Sequence, residues 1–312
     1  MDEIYDISDL KLFTSCTLCP HECSVNRLTD ADGYCHTDAG LNISSICIHR
    51  GEEPVISGTN GICNIFFSGC NMRCIYCQNH EISRLSSGEI RSSEKFEDVL
   101  HKIEIILSKG IRSVGFVSPS HVVPQVKALI KGLNTRGLHP ITVYNTNSYD
   151  KVETLKSLSG MIDVFLPDFK YITAEIARDY SDSVAYPVVA LKALKEMYFQ
   201  KGSSLIIEDD GLASNGILLR HLVLPGHSEE SKKVLRTIAE EISTGIHLSL
   251  MSQYHPIGQV KHHEQLNRTL YKDEYESVAE EMEKLGFRNG YVQDMDSFEN
   301  YRPDFSKEHP FE

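Results

Sequence analysis

Two hydrophobic periods alternate along most of this chain, and the switches between them outline its elements. Ile62–Phe67 is a short apolar run that predicts a buried strand. Residues 94–109 set Phe96, Val99, Leu100, Ile103, Ile106 and Leu107 on one helical face, with Gly110 as the stop. Ser113–Val117 predicts the next strand, and Val126, Leu129, Ile130 and Leu133 the next helix. Ile141–Tyr144 is a third strand with a helix around 149–158, and Ile162–Leu166 is a fourth. Residues 173–201 read as one or two helices. Leu205–Ile207 and Leu218–Leu224 flank Asp-Gly and Asn-Gly turn signals, so a hairpin leads into the fifth strand. Val234, Leu235, Ile238 and Ile242 mark a helix with Ser228 as N-cap and Glu229 and Glu230 in its first turn. His247–Met251 is a sixth strand. A final helix carries Tyr275, Val278, Met282 and Leu285, with Asp273 and Glu276 as a capping pair and Gly286 at its end.

Six β-then-α units in series imply parallel strands with right-handed crossovers. A partial or complete barrel and an open doubly wound sheet both fit, and in each the ligands sit beyond the carboxyl ends of the strands. Residues 1–60 differ: their periodicity is weak and they are rich in Asp, Asn, Gly, Ser and Cys. The chain therefore divides into a loop-rich, cysteine-rich N-terminal segment (1–60), for which a metal is a plausible staple, and an α/β unit (61–312).

Composition narrows the function. The 312 residues carry a formal net charge of −13, which argues against nucleic-acid binding and against a polybasic membrane anchor. No apolar run reaches the ~18 residues of a membrane span. The opening MDEIYDISDL lacks the apolar core of a secretory signal, so a cytoplasmic location with reduced thiols is expected.

The nine cysteines all lie between Cys16 and Cys77. Scattered core thiols would not cluster so, and the crowding points to ligand chemistry. Cys16, Cys19, Cys23 and Cys35 make a four-thiolate set, enough to close an auxiliary Fe–S or zinc site, with His21 and His36 as substitutes for one Cys. Cys47 and Cys63 read as buried thiols. Cys70, Cys74 and Cys77 follow the first predicted barrel strand. Three thiolates suit a [4Fe–4S] cluster with one iron open to a substrate, or a zinc knuckle completed by His80 or a distant Cys.

The run Phe67-Ser68-Gly69-Cys70-Asn71-Met72-Arg73-Cys74-Ile75-Tyr76-Cys77-Gln78-Asn79 resembles the radical S-adenosylmethionine (SAM) superfamily. Within it, Tyr76 and the following Gln-Asn look most like enzymes related to the pyruvate formate-lyase activating enzyme. The N-terminal Cys-x2-Cys-Pro segment, Glu52-Glu53-Pro54, Asp168-Phe169-Lys170-Tyr171 and Met251-Ser252-Gln253-Tyr254 resemble one subfamily of activating-enzyme relatives. The resemblance implies a partial (β/α)6 TIM-like barrel, a [4Fe–4S] cluster on Cys70, Cys74 and Cys77, and reductive cleavage of SAM to a 5′-deoxyadenosyl radical that abstracts hydrogen. It implies an electron donor such as flavodoxin or ferredoxin, and by analogy a glycyl-radical-type protein or peptide partner.

The same resemblance assigns further cofactor contacts, each with a bland alternative. Asn145 and Thr146, in Tyr144-Asn145-Thr146-Asn147, would lie near SAM, or form an ordinary turn. Asp168 and Lys170 leave a strand on one face and would bind SAM's ribose or carboxylate, or be a strand-end salt bridge. Arg220 would hold the SAM carboxylate, or make a surface ion pair. His255, in Tyr254-His255-Pro256-Ile257-Gly258, would lie near SAM, or be a structural histidine. Many relatives receive the SAM amino group on a Gly-Gly-Glu-Pro run. Here Ser118-Pro119-Ser120-His121 stands there, so hydroxyls such as Ser118's, or His121, take that task or it is done differently. Glu52 and Glu53 would line the cavity, with at least one solvated. Radical modification of a small molecule, or a non-catalytic Fe–S or zinc module, are the competing functions.

Overall fold

The structure is a computed structural model, and it describes residues 4–86, 93–295, 297, 303–307 and 310–311. Its strands are β1 (Ile43–His49), β2 (Ile62–Phe67), β3 (Ser113–Val117), β4 (Ile141–Thr146), β5 (Val164–Pro167), β6 (Ile206–Ile207), β7 (Ala213–Leu222), β8 (His247–Met251) and β9 (Gly290–Val292). Their order is β1-β2-β3-β4-β5-β7-β8-β9, with β6 paired antiparallel to β7. From β2 to β9 every neighbour on this path is parallel. The path does not close, which leaves the partial barrel among the architectures the pattern allowed. Fully buried β2, β3 and β5 are mostly apolar, as parallel strands covered on both faces are, with Asn64 and Ser113 the buried polar exceptions.

Two strands were not legible in the periodicity. β1 pairs antiparallel with β2, so a boundary at residue 60 falls in the connection between two partners of one sheet. β9 adds a short parallel edge after the last helix. Two helix starts also differ. Ser228 is the first helical residue and His227 the N-cap. At the last helix the Glu274 carboxylate, not Glu276, accepts the Tyr271 backbone N–H, at 2.9 Å. Glu274 also accepts from Gly226 and Arg268, and that tertiary use is invisible in local sequence.

Register sets the site. Ser118 N–H donates to Asn145 O, Asp168 N–H to Thr146 O, and Phe169 N–H to Arg220 O. The carboxyl ends of β3, β4, β5 and β7 therefore end level with one another, presenting Ser118, Asn145, Asp168 and Arg220 together. Gly115 permits part of this: a Cβ there would stand 2.1 Å from Asn64 Oδ1 on β2.

Candidate functional site

Over those strand ends lies a cavity of about 460 Å³, within the usual range for small-molecule sites. It is lined by Cys70, Cys74, Cys77, Tyr76, Ser118, Asn145, Asp168, Lys170 and Arg220, so most of the residues singled out by sequence meet there.

The cysteine loop is braced from outside. Arg73 N–H donates to Ser181 O (3.2 Å) and Ile75 N–H to Tyr180 O (2.8 Å). Each sulfur also meets a donor. Met72 N–H (3.4 Å) and the Asn147 amide (3.5 Å) point at Cys70 Sγ, and the Ser181 hydroxyl (3.1 Å) at Cys74 Sγ. The Ser83 hydroxyl lies 3.3 Å from Cys77 Sγ. Burial pushes the Cys70 and Cys74 thiols up, and the Lys170 ammonium opposes the rise at both. Donors of this kind favour the thiolate, and a soft metal that takes thiolates would complete the balance. Among the described residues, no three His, Cys, Asp or Glu side chains converge closely enough to grip one ion.

Asp168 and Lys170 form a half-buried ion pair at 2.5 Å. Burial alone would lower the lysine, but the Asp168 charge and the cysteine sulfurs outweigh it and hold the ammonium. Tyr76 hydroxyl bonds to Tyr171 hydroxyl, which lies 3.0 Å from Ser181 Oγ, so a hydrogen-bonded chain runs to Cys74.

Arg220 and the two glutamates correct the sequence reading of their surroundings. Arg220 is buried, and its Nε donates to Glu53 at 2.9 and 3.1 Å while Nη2 donates to both Glu52 and Glu53. The pair is internal rather than a surface bridge, and neither glutamate side chain is solvated. Burial would raise the Glu52 carboxyl, but the Arg220 charge and the His49 hydrogen bond hold it well below the usual carboxylate range. Asn64 Nδ2 donates to the same Glu52 oxygen at 2.8 Å, and His49 Nδ1 lies 3.1 Å from it. Asn64 and His49 escaped the sequence reading, although a polar Asn64 inside the apolar run Ile62–Phe67 was a usable signal.

Strand alternation explains other differences. Asn145 and Asn147 line the cavity, whereas Thr146 points away and donates to the buried Asp150 carboxylate at 2.5 Å. Ser249, Met251 and Gln253 line the cavity on the same rule; half-buried His255 is not among its lining residues. His121 sits on the opposite side of its loop. Its Nε2 lies 2.9 Å from Ser68 O, and burial pushes the imidazole down to about 4. It faces the N-terminal cysteines, not the larger cavity.

Those cysteines also come together. Cys16, Cys19, Cys23 and Cys35 line one cavity of about 10 Å³. Burial pushes the Cys19 thiol up to about 12. His21 and His36 do not substitute for a sulfur: His21 Nε2 meets Asn71 O at 2.9 Å and its ring stacks on Tyr34, while His36 Nε2 meets Arg73.

Known proteins place this arrangement. A curated but uncharacterized protein of Methanocaldococcus jannaschii is 29% identical over 282 residues, covering 88% of this chain and 75% of that protein. Among solved structures, SuiB of Streptococcus suis bound to S-adenosylmethionine matches with a TM-score of 0.51 at 12% identity, covering 74% of this chain. This chain spans 49% of SuiB, about half its length, so the likeness speaks to the fold. A structure titled anSMEcpe with bound AdoMet gives a TM-score of 0.48 at 16% identity, covering 72% of this chain and 58% of that one. The family model described as Radical SAM superfamily matches residues 64–238, from the middle of β2 into the helix Ser228–Glu241, and the chain belongs to that superfamily.

Proposed function

We propose that Cys70, Cys74 and Cys77 hold a [4Fe–4S] cluster, that SAM lies beside it in the 460 Å³ cavity, and that the enzyme abstracts hydrogen from a glycyl-radical-type protein or peptide partner. The superfamily uses a [4Fe–4S] cluster and SAM. When bound and reduced, the cluster supplies the electron that cleaves SAM to a 5′-deoxyadenosyl radical. The observation that carries the reading is a set of three sulfurs, one buried and two half-buried, each within hydrogen-bonding distance of a donor group, in one cavity with the Asp168–Lys170 pair.

The protein's own residues bind and aim. Asp168 and Lys170 offer an acceptor and a cation to the polar groups of SAM. The Nε and Nη2 donors of Arg220 serve the glutamates, and its Nη1 edge is assigned to the SAM carboxylate. Asn145, Asn147 and Ser118 supply neutral donors and acceptors on the neighbouring strand ends. Ser118 stands where relatives use a carboxylate, and its left-handed backbone (φ 51°) turns the chain over the cavity edge. The buried Tyr76–Tyr171–Ser181 chain keeps water from Cys74. A flavodoxin- or ferredoxin-type donor in a reducing cytoplasm is the expected electron source.

A small-molecule substrate is the second reading, favoured by the C-terminal residues. Ser297, Pro303 and Phe311 line the cavity, and the Phe311 ring lies 4.1 Å from His49. That cover restricts what can enter.

The experiment is anaerobic loading with iron and sulfide, reduction, and assay of 5′-deoxyadenosine from SAM. Cleavage is expected in the wild type and absent in Cys74→Ala; intact cleavage in the variant would overturn the cluster assignment. Mixing with glycyl-radical partners should give a doublet radical signal in the partner. Silence with every partner, while 5′-deoxyadenosine still forms, favours the small-molecule reading.

A further inference from the structure

We propose, on the reading that Cys74 ligates the cluster, that the hydroxyls of Tyr76, Tyr171 and Ser181 form a one-way donor chain that raises the cluster's reduction potential through the Cys74 sulfur. Tyr171 and Ser181 are then positioning residues for the radical reaction, and the hydroxyl of Tyr76 has a task separate from that of its ring.

The helix Ala174–Ser181 brings the chain to the cysteine loop. The last carbonyls of a helix have no partner within it. Here Tyr180 O accepts from Ile75 N–H at 2.8 Å and Ser181 O from Arg73 N–H at 3.2 Å. The backbone donors on either side of Cys74 are therefore spent, and its sulfur depends on a side chain. The Ser181 hydroxyl takes that place at 3.1 Å, the shortest polar contact to any of the three sulfurs among the described residues.

Proton counting fixes the direction of the chain. Each hydroxyl carries one proton. A thiolate bound to metal can only accept, so Ser181 spends its proton on Cys74. The Tyr171 hydroxyl, 3.0 Å from Ser181 Oγ, must then donate to it. Its proton is used there, so the bond between Tyr171 and Tyr76 takes its proton from Tyr76. The three hydroxyls make no other hydrogen bond among the described residues. Three protons thus line up toward one sulfur.

Burial makes that alignment count. Ser181 is 0% exposed, Tyr171 1% and Tyr76 7%. Away from water each bond is electrostatically stronger, and each polarises the next. Hydrogen bonds to the sulfurs are among the features that set an iron–sulfur potential. Uptake of one electron makes the cluster and its three thiolates one charge more negative. A donor at the sulfur stabilises the larger charge more, so the chain favours the reduced form, the state that passes an electron to SAM.

The test is a mediated redox titration of the full chain, loaded with iron and sulfide without oxygen. It follows the electron paramagnetic signal that changes when SAM is added, which selects the cluster in the larger cavity. Ser181→Ala should shift the potential of that signal to more negative values. Tyr171→Phe keeps the ring and should shift it the same way by less, and Tyr76→Phe by less again. If Ser181→Ala does not fold, the two tyrosine variants decide alone. A structural role alone predicts another sign: loosened packing admits water, which solvates the more charged reduced form and moves the potential to more positive values. An unmoved or more positive potential in Ser181→Ala overturns the inference and leaves the cluster assignment standing. An unmoved potential in Tyr171→Phe overturns the chain, reducing it to a single bond. Protein that gives no SAM-sensitive signal overturns the cluster assignment and the inference with it.

Discussion

The two cysteine sets differ in what stands opposite their sulfurs. Cys70, Cys74 and Cys77 face a cavity of about 460 Å³ with Asp168, Lys170 and Arg220 on its walls. Cys16, Cys19, Cys23 and Cys35 face one another across about 10 Å³, with a single buried cation behind them. An open set leaves room for a second molecule at the metal; a closed set does not. Cysteine count and spacing foreshadow this difference, but the side chains across from the sulfurs express it.

The largest effect should come from a direct contrast of single ligands. Cys74→Ala is expected to eliminate 5′-deoxyadenosine, and Cys19→Ala to lose less cleavage. Equal losses in cleavage assays with a chemical reductant would erase the contrast.

Next is the wall of the open cavity. Arg220→Met leaves Glu52 and Glu53 buried without their cation, and breaking a buried pair in this way costs about 3–5 kcal/mol. Denaturant unfolding measures it, and a cost under ~1 kcal/mol would mean that water reaches the triad.

A smaller loss is expected at the sheet beneath. Gly115→Ala forces a Cβ against Asn64 Oδ1, and overpacking of this kind costs about 1–3 kcal/mol. It should also loosen Glu52, which Asn64 holds. A melting temperature equal to that of the wild type would contradict the tight contact.

The mildest prediction concerns pH. The Glu52 carboxyl lies below its ordinary value of 4.5 in the fold. Its stabilisation is therefore complete above about 4.5 and fades as pH falls through the lowered folded value. Melting temperatures followed from pH 6 down to pH 3 should decline less steeply in Glu52→Gln. Parallel declines would show that other carboxylates dominate acid unfolding.

Legibility followed the range of the interactions involved. Ser113–Val117 and His247–Met251 were readable to the residue, because burial on both faces leaves a short, mostly apolar segment between helical patterns. β1 was not, since four of its seven residues are Ser, Cys or His and its outer face is an edge. Asp168 and Lys170 were found as an i, i+2 pair. Thr146 was chosen where Asn147 lines the cavity, although alternation from Asn145 separates the two.

By itself the sequence determined the chemistry available: seven thiols in two spacings, six βα units, and an Asp-x-Lys strand end. These are local properties, fixed by covalent spacing and by hydrophobic period. Tertiary structure decided which groups face each other. It set Glu52 and Glu53 against Arg220 across more than 160 residues of chain, turned His121 from the open cavity to the closed one, and buried Arg27 beside four sulfurs. Pairings of that kind depend on burial and charge balance among distant residues, and no local spacing encodes them.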